Sequence, residues 1–305
     1  MIARALAIIG FAILASSANA QEHLNPSPWA SQSKVTIDYG PQPTEPQYHA
    51  IYDRMKQQQV LERLQRFLAP LRLNRTLAVQ MARCGDNVLY RPYQPGGAVT
   101  ICYEFIKQVE DLAPAEGQLG LIGVIAVPRA ATIIGPVVEE VLHDVALAAF
   151  DNLQIPVWGR PEDAADNVAA FILSQFGTDV AQTTILGTAY FLYVAGEKAQ
   201  YNVDYVADVR PPVRQRYYNI LCVAYGADPV KFSMLQAFNR TELQMDLPKD
   251  RANDCALRYE SAEHKGQYEG EYEKLSFAFK TLILDPYVDP DLLKKVMATD
   301  WLKYP

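Results

Sequence analysis

The chain has 305 residues, half of them hydrophobic, with 28 Lys and Arg against 35 Asp and Glu and a formal net charge of −7. No run of basic residues interrupts that acidic balance, which disfavours nucleic-acid binding, since that needs a basic stripe or patch. The length suffices for one large domain with a proper core, or for two small ones. Reading from the amino terminus, Arg4 precedes an apolar run from Ala5 to Ala15, and Ala18-Asn19-Ala20 fits a small-residue cleavage site. Residues 1–20 therefore read as a secretory signal peptide, too short to be a membrane span. Residues 21–45 are rich in Pro, Ser and Gln and read as an extended arm. Apolar residues at helical spacing predict a helix over 46–68. Residues 71–82, 86–91 and 99–103 read as strands, followed by a helix over 104–112. Residues 119–134 are apolar but interrupted by Pro128 and Arg129, so a buried core segment is expected there rather than a membrane helix. Pro136 suits the first turn of a helix to about Leu153, and Pro161 opens another to about Phe176. Helices are further expected over 178–199, 211–225, 229–238 and 249–282, with a short one near 289–298. The balance is α+β, mainly helical, with a small antiparallel sheet toward the amino-terminal side and a single domain over 46–305.

Four cysteines follow the signal segment: Cys84, Cys102, Cys222 and Cys255. An even count in an exported chain points to two disulfides. Of the three pairings, Cys84–Cys102 and Cys222–Cys255 are favoured. The segment between the first two holds a Pro-Gly-Gly turn and strand-like runs, a hairpin pattern that brings its ends together. No Cys-x-x-Cys pair supports a structural zinc.

The chemistry concentrates in residues 137–166, VVEEVLHDVALAAFDNLQIPVWGRPEDAAD. A zinc-protease helix carries His-Glu-x-x-His, with two histidines on one face and a glutamate that polarises the zinc-bound water. Here His143 stands at the first position, Asp144 at the glutamate and Leu147 at the second histidine. Glu162 and Asp166 are four apart at the start of the next helix, so they share a face opposite His143. A glutamate there supplies a third zinc ligand in some zincins, and an aspartate orients a histidine from behind.

Four blocks together resemble a family of secreted bacterial zincin-like metallopeptidases of unknown function. CGDNVLYRPYQPGGAVTICYE (84–104) resembles its Cys-Gly-x-Asn segment closing in Cys-Tyr-Glu. VLHDVALAAFD (141–151) resembles its His-Glu-x-Gly-His helix, and LQIPVWGRPEDAAD (153–166) its Leu-Pro-x-x-Gly-Arg-Glu-Glu-Asp-Ala-Ala-Asp segment. RQRYYNILCVAYGADPVKF (214–232) resembles its Arg-Phe-Tyr-Asn-Ile-Leu-Cys-x-x-Tyr-Gly block. The resemblance spans about residues 45–282. It implies His143 as the first zinc ligand, Glu162 as the third, Asp166 as its supporting or substitute carboxylate, and Asp144 as the general base. Leu147 cannot bind a metal. Aspartate is a methylene shorter than glutamate, so a water poised for a glutamate falls out of reach. Zinc is thus implied by the resemblance yet expected to be absent. The chain reads as a catalytically impaired zincin-like protein of the bacterial periplasm, acting by binding a peptide or protein. An active metallopeptidase with rearranged ligands, or a structural envelope protein, are the alternatives.

Other candidates carry blander expectations. His23 falls in the arm, and His49 and His264 read as surface histidines on helices. Glu104 reads as a solvated charge. Tyr217, Tyr218 and Asn219 either line the site or pack near Cys222. Glu140-x-x-His143 lacks the second copy that a di-iron site needs.

Overall fold

The computed structural model describes residues 34–85, 97–123, 125–175, 178–199, 207–235 and 247–259. The expected signal peptide, the strand at 86–91, the tail helix, His23 and His264 all lie outside these residues. Eight α-helices stand among the described residues, so the protein is α+β and mainly helical. Strands β1 (Val35–Asp38), β2 (Leu77–Ala82) and β3 (Val99–Cys102) form one sheet in that order. Helices α1 (His49–Gln57) and α2 (Val60–Leu68) connect β1 to β2. Helix α3 (Tyr103–Leu112) leaves β3 directly, and β4 (Leu119–Ile122) and β5 (Ile125–Pro128) pair antiparallel. Then follow α4 (Arg129–Asn152), α5 (Pro161–Gln175), α6 (Thr178–Lys198), α7 (Val213–Ala227) and α8 (Lys249–Tyr259).

Several boundaries differ from the sequence reading. Residues 35–38 of the expected arm are a strand, because Val-Thr-Ile is β-branched and Val35 enters the core. The helix expected over 46–68 breaks at Gln59, whose φ of 52° is left-handed. The Tyr39 hydroxyl sits in the break, accepting from the Leu61 N–H at 3.0 Å and donating to Glu62 at 2.6 Å, so the start of α2 keeps a partner. Past the break α2 buries Leu61, Leu64, Phe67 and Leu68, one apolar stripe at spacings of three and four. Of the helix expected over 229–238, the described residues hold a 3₁₀ turn at Ser233–Leu235.

The outgoing strand and turn of the hairpin expected between Cys84 and Cys102 lie outside the described residues; β3 itself pairs with β2 in parallel, Val79 facing Val99 and Ala82 facing Cys102. The disulfide forms all the same, with Cα atoms 5.5 Å apart, because that register carries Cys84 past the end of β2 to the end of β3. Glu104 closes the corner. It accepts from the backbone N–H of Cys84 and Gly85 and from Arg83 Nε, and it is buried rather than solvated. Burial opposes its charge, but these donors prevail and lower its pKa. Cys222 on α7 bonds Cys255 on α8, with Cα atoms 5.1 Å apart, as the sequence led us to expect.

The apolar segment before Pro136 is strand and then helix. Its hairpin turns at Gly123 (φ 59°), and β5 runs straight into α4 at Pro128. Pro136 thus lies inside α4 rather than at its start, and takes one N–H out of the helix ladder. Packing against α6 offsets that loss. Gly135 on α4 meets the α6 backbone at Thr184 and Thr188, and Gly187 on α6 meets the α4 backbone at Ala131. Neither glycine has room for a Cβ. At its far end α4 is tied to the sheet side by Asn152, whose Oδ1 accepts from the N–H of Asn74 (2.6 Å) and Arg75 (3.0 Å). The long helix is therefore pinned at both ends, and the residues between are presented to α5 and α7. Gly187→Ala drives a methyl into the Ala131 carbonyl; it should destabilise the protein by about 1–3 kcal/mol, read as a lower midpoint in thermal denaturation, with the two disulfides intact.

Candidate functional site

Burial makes the middle of α4 unusual. Glu139, His143 and Asp144 are buried among the mostly apolar residues of the helix's middle, and Glu162 and Asp166 are buried on α5. Ionised carboxylates in an apolar interior need counter-charges or protons. The nearest cations in space come from the segment before and into α7. Arg210 and Arg216 are both buried, and both reach the acids.

The connection between α4 and α5 turns back through Gln154 (φ 53°) and Gly159 (φ 96°), bringing the first turn of α5 against α4. Glu162 and Asp166, four apart, then bracket one imidazole. His143 Nδ1 lies 2.7 Å from Asp166 Oδ1, and His143 Nε2 lies 2.7 Å from Glu162 Oε2. A neutral imidazole has one N–H, so two short contacts to carboxylate oxygens call for the imidazolium, which donates on both sides. Burial opposes that charge, but the hydrogen bonds to Asp166 and Glu162 outweigh it and raise the His143 pKa to about 10.

Arg216 stands behind Asp166. Its Nε and Nη2 donate to the Asp166 carboxylate at 2.9–3.2 Å, and Nη2 also donates to both Glu139 oxygens at 3.1 and 3.2 Å. Arg210 stands on the other side. Its Nη2 is 2.7 Å from Glu140 Oε1 and 3.7 Å from Asp144 Oδ1, and its Nε is 3.6 Å from Glu162 Oε2. Five acids thus face two guanidinium groups and one imidazolium. The excess of acid is relieved by protonation. Burial and neighbouring carboxylates raise Glu139 to about 7, against the pull of Arg216. Burial and the charge of Glu140 raise Asp144 to about 7. Glu140 goes the other way: burial is outweighed by Arg210, then Arg216, and its pKa falls to about 2.

The sequence reading brought His143, Asp144, Glu162 and Asp166 together, and the structure places all four in this cluster. It missed Arg210 altogether, and it saw Arg216 only as part of a family block. The signal was present: two helices carrying this many acids on facing sides need cations, and VRPPVRQR (209–216) is the arginine-rich stretch that follows. Of the two readings for Tyr217, lining the site or packing, the second holds. It is a core residue against Tyr193 and Tyr218. Asn219 accepts from Arg251 of α8. His49 is placed apart, its Nε2 2.9 Å from the Pro43 carbonyl.

A family described as "Putative metallopeptidase" matches residues 40–267, well over half of the chain, including β2 to β5, α1 to α8 and the whole ion cluster. The chain belongs to that family. No curated protein and no solved structure matches it. Metallopeptidase chemistry implies a bound metal, and the donors here can be tested against one. A catalytic zinc takes three protein ligands at about 2.0–2.2 Å from N or O and keeps a fourth position open. Leu147 offers none. Both ring nitrogens of His143 are engaged by carboxylates, and a guanidinium separates Glu162 from Asp144. One atom each of Glu139, His143 and Asp166 do lie within 4.8 Å of one another, a grouping that suits a cation. Arg216 already donates to both carboxylates of that group. The residues present do not fit a catalytic zinc.

Two outcomes follow for this family member. The His143 contribution to stability is fully present below its ordinary pKa of 6.5 and is lost as pH rises toward about 10. Glu139 and Asp144 act in the same direction at lower pH, because their folded pKa values lie above the unfolded ones: their contribution fades as pH rises toward about 7. Glu140 acts oppositely, losing its contribution as pH falls toward about 2. Thermal midpoints should therefore be highest on the acid side of neutrality and decline steadily up to pH 10; a flat profile through that range would contradict the imidazolium. His143→Ala leaves Glu162 and Asp166 facing each other and should cost about 3–5 kcal/mol in denaturant titration.

Proposed function

We propose that this protein is an exported, zincin-like member of its family that binds a peptide or protein segment in its cleft without hydrolysing it. The observation that carries the reading is the clasp on His143. A ring nitrogen that donates to Glu162 is not available as a metal ligand. Leu147 and the shortened Asp144 point the same way. Export is supported by the apparent signal segment and by two disulfides, which persist in oxidising compartments. Among the described residues no helix is long and apolar enough to cross a membrane.

The surface beside the clasp suits a peptide. A cavity of about 80 Å³ opens between α4, the end of α1 and the start of α2, lined by Met55, Leu64, Ile101, Ile106, Val137 and Val141. It continues along Val137 and Val141 to a smaller pocket that ends at Glu140 and Asp144, with β3 as its other wall. Asp144 Oδ1 is buried there and accepts no hydrogen bond among the described residues. An aliphatic side chain entering the cavity, with a peptide N–H or ammonium donor reaching Asp144, satisfies both chemistries.

A second reading, an active metallopeptidase with rearranged ligands, draws on the close grouping of Glu139, His143 and Asp166. One experiment separates the two. The mature protein is titrated with a mixed library of unstructured peptides, and every peptide is weighed by mass spectrometry afterwards. Retention of intact peptides that carry a large aliphatic residue is the expected result. Val137→Glu should weaken that retention roughly tenfold or more, the worth of burying one aliphatic side chain. Cleaved peptides whose appearance depends on added zinc would replace the proposal with the second reading.

A further inference from the structure

Arg210 enters the site in a way that an ordinary buried ion pair does not. It lies just before Pro211, which restricts it to extended backbone, and its own N–H is fixed by Asp208 Oδ1 at 2.9 Å. The side chain then runs inward until it is 2 % exposed. Among the contacts of its guanidinium are a close ion pair with Glu140 at 2.7 Å and longer approaches to Glu162 at 3.6 Å and Asp144 at 3.7 Å. Those two distances exceed a hydrogen bond. Asp144 and Glu162 surround the cation without clasping it, as anions surround an ion too large for a tight cage. The Glu162 oxygen that faces Arg210 is also the one that accepts from His143 Nε2. The guanidinium is therefore adjacent to the ring nitrogen and two carboxylates that, by position in the chain, stand where the family pattern puts first ligand, base and third ligand.

We propose that Arg210 takes the place of the metal: its guanidinium is a built-in cation held among Glu140, Asp144 and Glu162, and it keeps a divalent ion out. Size and charge both support exclusion. Zinc draws oxygen ligands to about 2.0–2.2 Å, so a carboxylate shell opened to 3.6–3.7 Å around a planar group must collapse before zinc fits. An incoming dication also meets a fixed positive charge that does not deprotonate. Lysine would serve less well, since a compact, strongly hydrated ammonium cannot span three carboxylates from one fork. Removing the guanidinium leaves His143, Asp144, Glu140 and Glu162 around a space with excess negative charge; zinc entering it displaces the proton that His143 Nε2 donates to Glu162, and the donor set is then one nitrogen and several oxygens, which suits zinc. The inference is independent of peptide binding, and its test reads metal content rather than peptide retention.

The experiment is zinc retention by full-length mature protein after dialysis against zinc and then against buffer. Wild type should retain none. Arg210→Ala should retain zinc stoichiometrically, and Arg210→Ala with His143→Ala should lose it again. Zinc held by wild type and released on His143→Ala overturns the proposal, as does a folded Arg210→Ala that retains none. If Arg210→Ala does not fold on its own, it is refolded from denaturant with zinc or with a chelator. Native circular dichroism and a rise in thermal midpoint with zinc alone support the proposal, because the metal then replaces the lost cation. Failure to refold in either condition counts against it, since a site built for a cation should accept zinc in exchange.

Discussion

The fold is arranged around charges that cannot be left alone. Burying four carboxylates and half-burying a fifth near one imidazole is prohibitive without cations, and each uncompensated ion costs several kcal/mol even after relaxation. Helices α4, α5 and α7 meet where that compensation is available: α4 brings Glu139, Glu140, His143 and Asp144, α5 brings Glu162 and Asp166, and the segment at α7 brings Arg210 and Arg216. The partners come from positions far apart in the chain, so the network forms only when all three helices are docked. It is a poor source of net stability and a strong source of specificity, because any misregistered helix leaves a buried charge unpaired.

The rest of the molecule serves that meeting. Close backbone contact at Gly135 and Gly187 fixes α4 against α6, and Asn152 fixes its far end to the entrance of β2. The Cys222–Cys255 bridge anchors the helix that carries Arg216. On the opposite side of α4, β3 and α3 leave an apolar cavity that reaches the acids. One helix therefore has two working faces: a charged one turned to α5 and α7, and an aliphatic one turned to the sheet. The walls of this cleft are held by packing and by ion pairs.

Metal-binding helices and ion-pair helices use the same side chains, and the difference lies in what cation they enclose. Histidine with carboxylates on both nitrogens is an imidazolium, a donor; histidine on zinc is neutral, an acceptor of the metal. The two states exclude each other at one nitrogen. Leu147, one turn after His143, offers no ligand, and Arg210 supplies charge without coordination chemistry. The two features are mutually consistent in physical terms.

Much of the architecture was legible in local patterns. The amphipathic stripe of α2, the helix after Pro161, the even set of cysteines and the spacing of His143, Glu162 and Asp166 all follow from periodicity, which one stretch of sequence contains in full. Strand direction was not legible, because parallel and antiparallel pairs share the same alternation, and nothing local announces that β2 and β3 run parallel. The start of α4 was hidden for a related reason, since an apolar run before a proline reads alike as strand, loop or buried helix. Glu104 looked solvated because nothing local reveals the N–H groups of Cys84 and Gly85 that it accepts. The sequence by itself determined that Leu147 follows His143 by one turn and that Glu162 and Asp166 share one face of the next helix. Only the tertiary structure decided which cations answer those carboxylates, because Arg210 and Arg216 reach them across a distance in the chain that no local pattern spans.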